Sequence, residues 1–354
     1  MEIGVVGGGI AGLATAIAFH RSGHQVRVFE RAPAFAEVGA GIAVPPNALR
    51  CLGLLGVRGV ASQPELGGQS ATVRNQGGRV LVRASLASLA GASPGNFAIV
   101  HRARLIDALR SNLPDSCLYA GSAVTDVTAD GVIEAGDERR RFDLVIGADG
   151  VKSLVRRCLW PPSMPRRTGV TAWRWIVNRA PSEVGMVWGH TAEFGILPMP
   201  GYGTYVYGGA RPGRAALEHY LSWPDPLPEL IAARIPDQVI TDELCELRPV
   251  AMPIRDRVVL VGDAAHTMRP TFGQGAALAL EDAVTLAMAG VARYARLRQR
   301  RTTTLYWCSR WGSLVTMPRT RPVAAARDAA LRLVPDQLFA SLTGAASRWS
   351  PPAL

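Results

Sequence analysis

The sequence predicts an α/β fold, with a Rossmann-like nucleotide-binding domain on a parallel sheet, a lobe on an antiparallel sheet, and C-terminal helices. Three observations carry this. A strand–glycine loop–helix unit opens the chain; two further buried strands end in acid and glycine, at 149–150 and 262–263; and Pro161 to Arg248 reads as short strands rich in Trp and Tyr. At 354 residues the chain has room for about two domains with sizeable cores.

Residues 3–19, IGVVGGGIAGLATAIAF, form an uncharged run that hydropathy alone would confuse with a signal peptide or membrane helix. Glu2 stands where a basic flank belongs, and three consecutive glycines break an apolar helix, which argues against both. Ile3 to Val6 reads as a parallel strand, Gly7-Gly8-Gly9-Ile10-Ala11-Gly12 supplies G-x-G-x-x-G, and Leu13 to Ser22 reads as a helix. A second strand, Gln25 to Phe29, ends on Glu30. Gly7 allows the tight turn, Gly9 admits a pyrophosphate to the helix N-terminus, Gly12 lets helix and strand pack, and Glu30 accepts from ribose hydroxyls. Strand, helix and acid are all present around the fingerprint, and together they specify nucleotide binding.

The second glycine cluster, Gly39-Ala40-Gly41-Ile42, leads through Pro45-Pro46 into a short helical pattern, Asn47 to Leu55. It lacks a third glycine and a following acid, so the chain has one dinucleotide fold. Residues 64–97 are rich in Gly, Ser and Ala, and Arg79 to Arg83 alternates as exposed antiparallel strands do. His101-Arg102 then opens an amphipathic helix, Leu105 to Asn112. Arg102 is positioned to reach a phosphate or a polyol, or equally to be a surface residue.

FDLVIGADG, residues 142–150, is a buried strand ending in Asp149-Gly150, and Val258 to Val261 repeats the pattern with Gly262-Asp263. Each sets a carboxylate beyond a parallel strand, where open α/β sheets hold ligands. Two such endings plus the fingerprint imply one extended cofactor across the sheet. Pro270, Gly273 and Gly275 then make a loop of little bulk before a helix whose N-terminus favours negative charge. A flat ring that becomes anionic on reduction, such as a flavin isoalloxazine, fits Gly273-Gln274-Gly275. An ordinary strand–loop–helix connection would use the same glycines for packing. His266 reads as fixing this loop.

In the second lobe Thr171 to Val177, Gly185 to Gly189, Phe194 to Leu197 and Thr204 to Gly209 read as strands, with turns at Pro198 to Gly203. Its aromatics suit a wall for a flat apolar substrate or the lobe's own core. Arg174, His190 and Tyr205 are its candidate substrate-side groups, each also an ordinary structural hydrogen-bonder. Beyond residue 292 the chain reads as helical and basic, with Arg327 to Leu338 a last amphipathic segment before a Pro-rich end. These readings divide the chain into a discontinuous nucleotide-binding domain (1–70, 98–160, 249–292), a substrate domain (71–97, 161–248) and a helical segment (293–354).

The net charge is +11, yet Lys152 is the single lysine, so the basic residues are otherwise arginine throughout. Arg139 to Arg141 and Arg296 to Arg301 read as solvated surface rather than nucleic-acid contacts. Five cysteines, odd in number and without CxxC spacing, indicate neither a metal site nor a redox dithiol and point to a reducing cytoplasm.

Taken in order, G-x-G-x-x-G with Glu30, His101-Arg102, Asp149-Gly150, and Gly262-Asp263 followed by Pro270 and Gly273-Gln274-Gly275 resemble the single-component flavin-dependent aromatic hydroxylases, the p-hydroxybenzoate hydroxylase family. The resemblance runs to about residue 340. It implies an FAD-binding domain, with Gly7, Gly9, Ala11, Gly12 and Gly41 along the cofactor. Glu30 and Arg31 would hold the adenosine ribose, Arg102 the flavin side, Asp149-Gly150 both FAD and NADPH, and Asp263 the ribityl hydroxyls. Pro270, Gly273, Gln274, Gly275 and Ala276 would lie beside the isoalloxazine.

The activity implied is hydroxylation of an aromatic or polyketide-like small molecule with NADPH or NADH and O2, through a flavin C4a-hydroperoxide. No nucleic-acid partner or membrane span is implied, and the assembly expected is a monomer or homodimer. The end of the chain soon after residue 350 leaves no room for the further C-terminal domain of larger relatives. Ala277 departs from the polar residue common in the family, and Trp175, where a small residue is common, would narrow the substrate pocket. A flavin oxidase or dehydrogenase, or a non-catalytic FAD-binding protein, would use the same motifs; the intact Asp149-Gly150 favours nicotinamide use.

Overall fold

The structure is a computed structural model that describes residues 1–35, 40–60, 69–89 and 97–353; of the second glycine cluster, Gly39 lies outside these residues. The chain opens with β1 (Glu2–Val6), α1 (Ile10–Arg21) and β2 (Gln25–Phe29). β3 (Gly41–Val44) and α2 (Pro46–Leu54) follow, then the hairpin β4 (Ser70–Asn75) and β5 (Val80–Ser85), the short α3 (Leu86–Leu89), β6 (Ala98–His101) and α4 (Arg102–Arg110). After β7 (Leu118–Tyr119) comes a small antiparallel meander of β8 (Val124–Val127), β9 (Val132–Ala135) and β10 (Glu138–Arg141). β11 (Leu144–Gly147) and α5 (Leu154–Leu159) lead into the second lobe. That lobe comprises β12 (Arg166–Val177), β13 (Gly185–Trp188), β14 (Ala192–Met199), β15 (Gly203–Ala210), α6 (Leu227–Ala232) and β16 (Ile240–Glu246). The chain then returns through β17 (Ile254–Arg255), β18 (Val258–Leu260), the one-turn α7 (Asp263–His266) and α8 (Gly275–Ala289), and ends in α9 (Val291–Thr316), α10 (Arg321–Leu331) and α11 (Asp336–Gly344).

β1 lies inside a six-stranded sheet of order β17-β18-β11-β1-β2-β7, parallel except for β17. Its run IGVV is buried or nearly so, as a strand covered on both faces requires. Every residue of α1 from Ile10 to Phe19 is buried, which accounts for a helix apolar all round: it packs against the sheet and against α8.

The lobe is a seven-stranded sheet of order β16-β12-β15-β14-β13-β4-β5, antiparallel apart from the β13–β4 pair. β4 and β5 thus come from the glycine-, serine- and alanine-rich stretch and join strands far along the chain. The two faces of this sheet differ. Trp173, Trp175, Val177, Phe194, Ile196 and Val206 form a core against Leu217, Tyr220 and α6. Trp175 is 1 % exposed and its Nε1 donates to Leu230 O at 3.1 Å, so it fills this core and does not narrow a substrate pocket. The opposite face carries Arg174, Ile176, Tyr205 and Tyr207, since Arg174 pairs with Tyr207 and Ile176 with Tyr205 across β12 and β15.

Two further readings are corrected. Arg327 to Leu338 is not one segment, because the helices α10 and α11 meet at a break that Pro335 caps. The arginine run 296–301 is not all solvated, because Arg298 is 3 % exposed inside an ion-pair network. β16 was not expected; ITDELCE carries three acids, which suit an edge strand with a solvated side. Among the described residues no helix is long and apolar enough to cross a membrane.

Candidate active site

The first glycine turn is forced by contacts as well as by dihedral angle. Gly7 has φ +107°, and a Cβ on Gly12 would stand 1.9 Å from Gly7 O, so helix and loop meet only without a side chain. A Cβ on Gly9 would meet nothing within 4 Å, which leaves bare backbone at the N-terminus of α1. Glu30 closes the turn from the β2 side: Oε2 accepts from Gly8 N at 2.7 Å and Oε1 from Ala32 N at 2.8 Å. Arg31 follows it, exposed.

The three strand ends converge on this turn. Ala148 O lies 2.5 Å from a Cβ built on Gly7, which seats Asp149 beside the glycine loop. Asp149 Oδ2 caps α5 by accepting from Leu154 N at 2.6 Å and Val155 N at 3.1 Å, while its Oδ1 is buried without a partner. Gly262 has φ +57°, and a Cβ there would be 2.7 Å from the Cβ of Ala11, so the third strand end packs on the first turn of α1. Asp263 follows, exposed, its carboxylate making no hydrogen bond or ion pair with another described residue.

From there the loop runs along the Tyr205 face of the lobe. At one end Arg269 Nε donates to Glu246 Oε2 at 2.8 Å, at the end of β16. At the other, Gly273, left-handed at φ 62°, brings its Cβ position to 3.5 Å from Ala43 Cβ on β3. Pro270 sits between them in a turn of 3-10 helix. Gly275 begins α8, where a Cβ would again meet nothing within 4 Å, and Ala276 follows. The N–H groups of this first turn have no intrahelical acceptor. β3 also touches the lobe: a Cβ on Gly41 would lie 2.4 Å from Tyr205 Cγ, so Gly41 is glycine to admit that ring. One strand therefore carries both the glycine loop and the tyrosine.

Gln274 does not face this space with its side chain. It is 3 % exposed, accepting from Asn47 Nδ2 at 3.0 Å and donating to Ser347 Oγ at 3.2 Å, so it braces the loop and leaves only backbone toward a ligand. His266, as expected, anchors the loop: Nε2 lies 2.6 Å from Asp282 Oδ2. Arg174 is on the Tyr205 face but tied to Asp242 at 2.6 Å. His190 lies in the β13–β14 turn with Nδ1 3.1 Å from Gln76 Oε1, partnered there and not with the loop. Arg102 starts α4, its backbone N donating to Ala40 O at 2.9 Å, and its charge acts on Tyr205. Burial lifts the Tyr205 hydroxyl to about 12 despite Arg174 and Arg102.

The group not foreseen is the ionic brace beneath the loop. Arg298 binds Glu281 and Asp282 at 2.6 Å each, Arg301 binds Glu281, and Asn47 Nδ2 donates to Glu281 Oε1 at 2.7 Å. Both acids are fully buried, two carboxylates against two guanidiniums. Two adjacent acids inside the apolar stretch LALEDAVTLA were the available signal.

A family profile described as an FAD binding domain matches residues 1–200 and 248–296. The chain is 31% identical over 324 residues to aurachin C monooxygenase/isomerase from Stigmatella aurantiaca, covering 84% of this chain and 85% of that one. It is 33% identical over 337 residues to salicylate hydroxylase from Pseudomonas putida, covering 81% and 76%. The chain belongs to the FAD-dependent aromatic hydroxylases. Klebsiella pneumoniae HpxO, solved with FAD and uric acid, superposes on this hydroxylase with TM-score 0.86 at 25% identity, over 98% of this chain and 96% of that one. The hydroxylase is an FAD-dependent monooxygenase with NAD(P)H as co-substrate. Its residues fit the cofactor: open backbone at Gly9 and Gly275, a buried acceptor without a partner at Asp149, and an uncommitted carboxylate at Asp263.

Proposed function

We propose that the hydroxylase oxygenates a flat, largely apolar aromatic ring held between the Tyr205 face of the lobe and the loop from Arg269 to Gly273. The observation that carries this reading is the course of that loop, which starts on Glu246 at one side of the face and ends on Ala43, beside Gly41 and Tyr205. In this reading Gly7, Gly9, Ala11, Gly12 and Glu30 hold the adenosine and pyrophosphate end of FAD, with Arg31 beside the ribose. Asp149-Gly150 and Asp263 hold the middle. Arg102, Pro270, Gly273, Gly275 and Ala276 border the ring.

When bound, FAD would relay reducing equivalents from NAD(P)H to O2 and so activate it. The chain's own groups orient and exclude water. Met186, Leu197, Met199 and Tyr205 form an apolar cluster on the substrate side, where a ring is desolvated and held in reach. The N-terminus of α8 lends partial positive charge to whatever anion develops beside Gly275. Tyr205 stays protonated and acts as a donor.

We read residues 1–70, 98–160 and 249–292 as the FAD-binding unit, 71–97 and 161–248 as the substrate unit and 293–354 as a helical segment spanning them. The five free cysteines support work in a reducing cytoplasm, and a monomer or homodimer that engages neither nucleic acid nor membrane is the form we assign. The test is anaerobic. Flavin absorbance is followed as NADPH or NADH is added, alone and with a panel of phenols, heteroaromatics and aromatic acids. Bleaching that one aromatic accelerates is the expected result. Bleaching by an aromatic alone, with neither nicotinamide active, would make the protein an oxidase or dehydrogenase.

A further inference from the structure

Glu193 is the acid that none of these roles uses. It stands on β14 opposite Gly209 of β15, itself opposite Ala172 of β12, and so shares the face of Arg174, Tyr205 and Tyr207. The side chain is 8 % exposed, and Oε1 lies 3.9 Å from the position of a Cβ on Gly209. Beside the carboxyl Gly209 and Ala172 contribute no more than a methyl group, and the Val170 side chain, 3.4 Å from the same Cβ position, borders that space.

Arg211 is the cation whose charge acts on Glu193, and its Nε is buried without a hydrogen-bond partner, yet no cation forms an ion pair with this acid among the described residues. Arg211 Nη2 donates to Met317 O at 2.5 Å, Arg269 and Arg310 both bind Glu246, and Arg174 binds Asp242. Among the described residues Glu193 has no ion-pair partner, and its hydrogen bond is with the Thr316 hydroxyl. A carboxylate offers about four acceptor positions, so most of them are left for a ligand. Burial raises its pKa, which the Thr316 bond and the Arg211 charge only partly oppose. Position matters as much: on α9 Thr316, the partner of Glu193, lies one turn from Ser313, whose hydroxyl accepts from Arg269 Nη1 at 2.7 Å, so Glu193 stands near the start of the loop that bears Pro270.

We propose that Glu193 contacts the substrate and selects aromatic rings bearing an O–H or N–H donor, whose proton it accepts as the ring is oxygenated. The O–H or N–H bond breaks, its electron pair stays on the ring heteroatom and raises electron density at the carbon to be hydroxylated, and the proton becomes the acid hydrogen of Glu193. One oxygen of O2 forms the new C–O bond, and the C–H bond of that carbon breaks as the ring regains aromaticity. The C–H proton leaves with the other oxygen as water on electrons from NAD(P)H, and the proton on Glu193 returns to the heteroatom. A ring carboxylate is rejected at the same point, because it would press a second negative charge against a buried acid.

This inference rests on the substrate face assigned above, and its test separates the two. FAD-loaded full-length protein is titrated with 2-naphthol, 2-methoxynaphthalene and 2-naphthoate, reading flavin absorbance for Kd and the NADPH-driven bleaching rate. Naphthol is expected to bind about tenfold tighter than either of the others. Glu193→Leu should bring the naphthol-to-methoxynaphthalene ratio near unity while methoxynaphthalene binding holds. Glu193→Gln, which keeps an acceptor but cannot take a proton, should retain naphthol binding and lose about tenfold or more in naphthol oxygenation.

Naphthoate binding as well as naphthol in the wild type, a Leu variant that keeps the preference, or a Gln variant with the wild-type oxygenation rate each overturns the assignment. If the Leu variant fails to retain FAD, the wild-type ratio and the Gln rate decide. Absence of NADPH bleaching with every aromatic would instead sink the hydroxylase mechanism; bleaching driven equally by naphthoate sinks only Glu193.

Discussion

His266 Nε2 and Asp282 Oδ2 lie 2.6 Å apart with both side chains buried, and this contact fastens the chain after β18 to helix α8. The same Oδ2 accepts from Gly262 N at 2.8 Å, so one carboxylate fixes the turn just ahead of Asp263. Burial works to raise the pKa of Asp282, yet His266 and Arg298 bring it down to about 2. A depressed carboxylate stabilises the fold above its unfolded value near pH ~4, and that contribution is lost as pH falls through about 2. Asp282→Asn should cost about 3 kcal/mol at neutral pH, because Arg298 keeps its charge with one acid gone. In urea titrations the deficit against wild type should narrow as pH drops below ~4; a constant deficit would remove the carboxylate's charge from the account.

Gly12→Ala sets a methyl carbon 1.9 Å from Gly7 O, a contact that requires backbone to move. The expected result is a protein purified without flavin and less stable by about 3 kcal/mol or more. Full flavin occupancy in the purified variant would contradict the geometry of this turn.

Asp263 and Glu30 should separate cofactor binding from stability. Asp263 is exposed and uncommitted, so Asp263→Ala is expected to weaken FAD about tenfold or more with the apoprotein's melting temperature unchanged. Glu30 holds Gly8 N and Ala32 N, so Glu30→Arg should lower both FAD affinity and apoprotein melting. Flavin titration and thermal scans of the apoproteins measure the two quantities independently.

Trp175→Phe removes the indole donor to Leu230 O within the core on the far face of the lobe. A loss of about 1–2 kcal/mol in stability is expected, with the KM for any aromatic substrate unmoved. A changed KM would return Trp175 to the substrate side.

Burial keeps the Tyr205 hydroxyl protonated up to about pH 12, so it contributes no ionisation to catalysis near neutrality. Rate profiles of wild type and Tyr205→Phe between about pH 6 and 10 should therefore share their limbs and differ only in height. A limb that disappears in the Phe variant would show that the hydroxyl titrates.

The nucleotide-binding half was legible because its signals are local. G-x-G-x-x-G and Glu30 lie within one strand–helix–strand unit, and Val258 to Gly262 reads as a strand end without reference to anything distant. The lobe's strands were legible too, but not their sides: Trp175 and Arg174 are neighbours, and only the packing of α6 on one face tells which points to the core. Arg298 was misread for the same reason. It sits in RLRQRR, which reads as solvated, while the acids that bury it lie on the preceding helix. Glu193 carries no signal in the sequence, since an isolated acid in AEFGILPM does not announce that the fold buries it without an ion pair.

The strand order of the parallel sheet has a consequence for synthesis of the chain. β1 pairs with β11, and β11 with β18, so the edge that finally receives β18 stays open until every strand of the lobe has been translated. An unpaired strand edge invites pairing with other chains, and contacts this distant in sequence form slowly. A nascent chain that stops after β15 therefore carries a glycine turn with no third strand end packed on Ala11 and a sheet edge able to associate. The cell must carry synthesis of the hydroxylase through Gly262 before the first turn it made is complete.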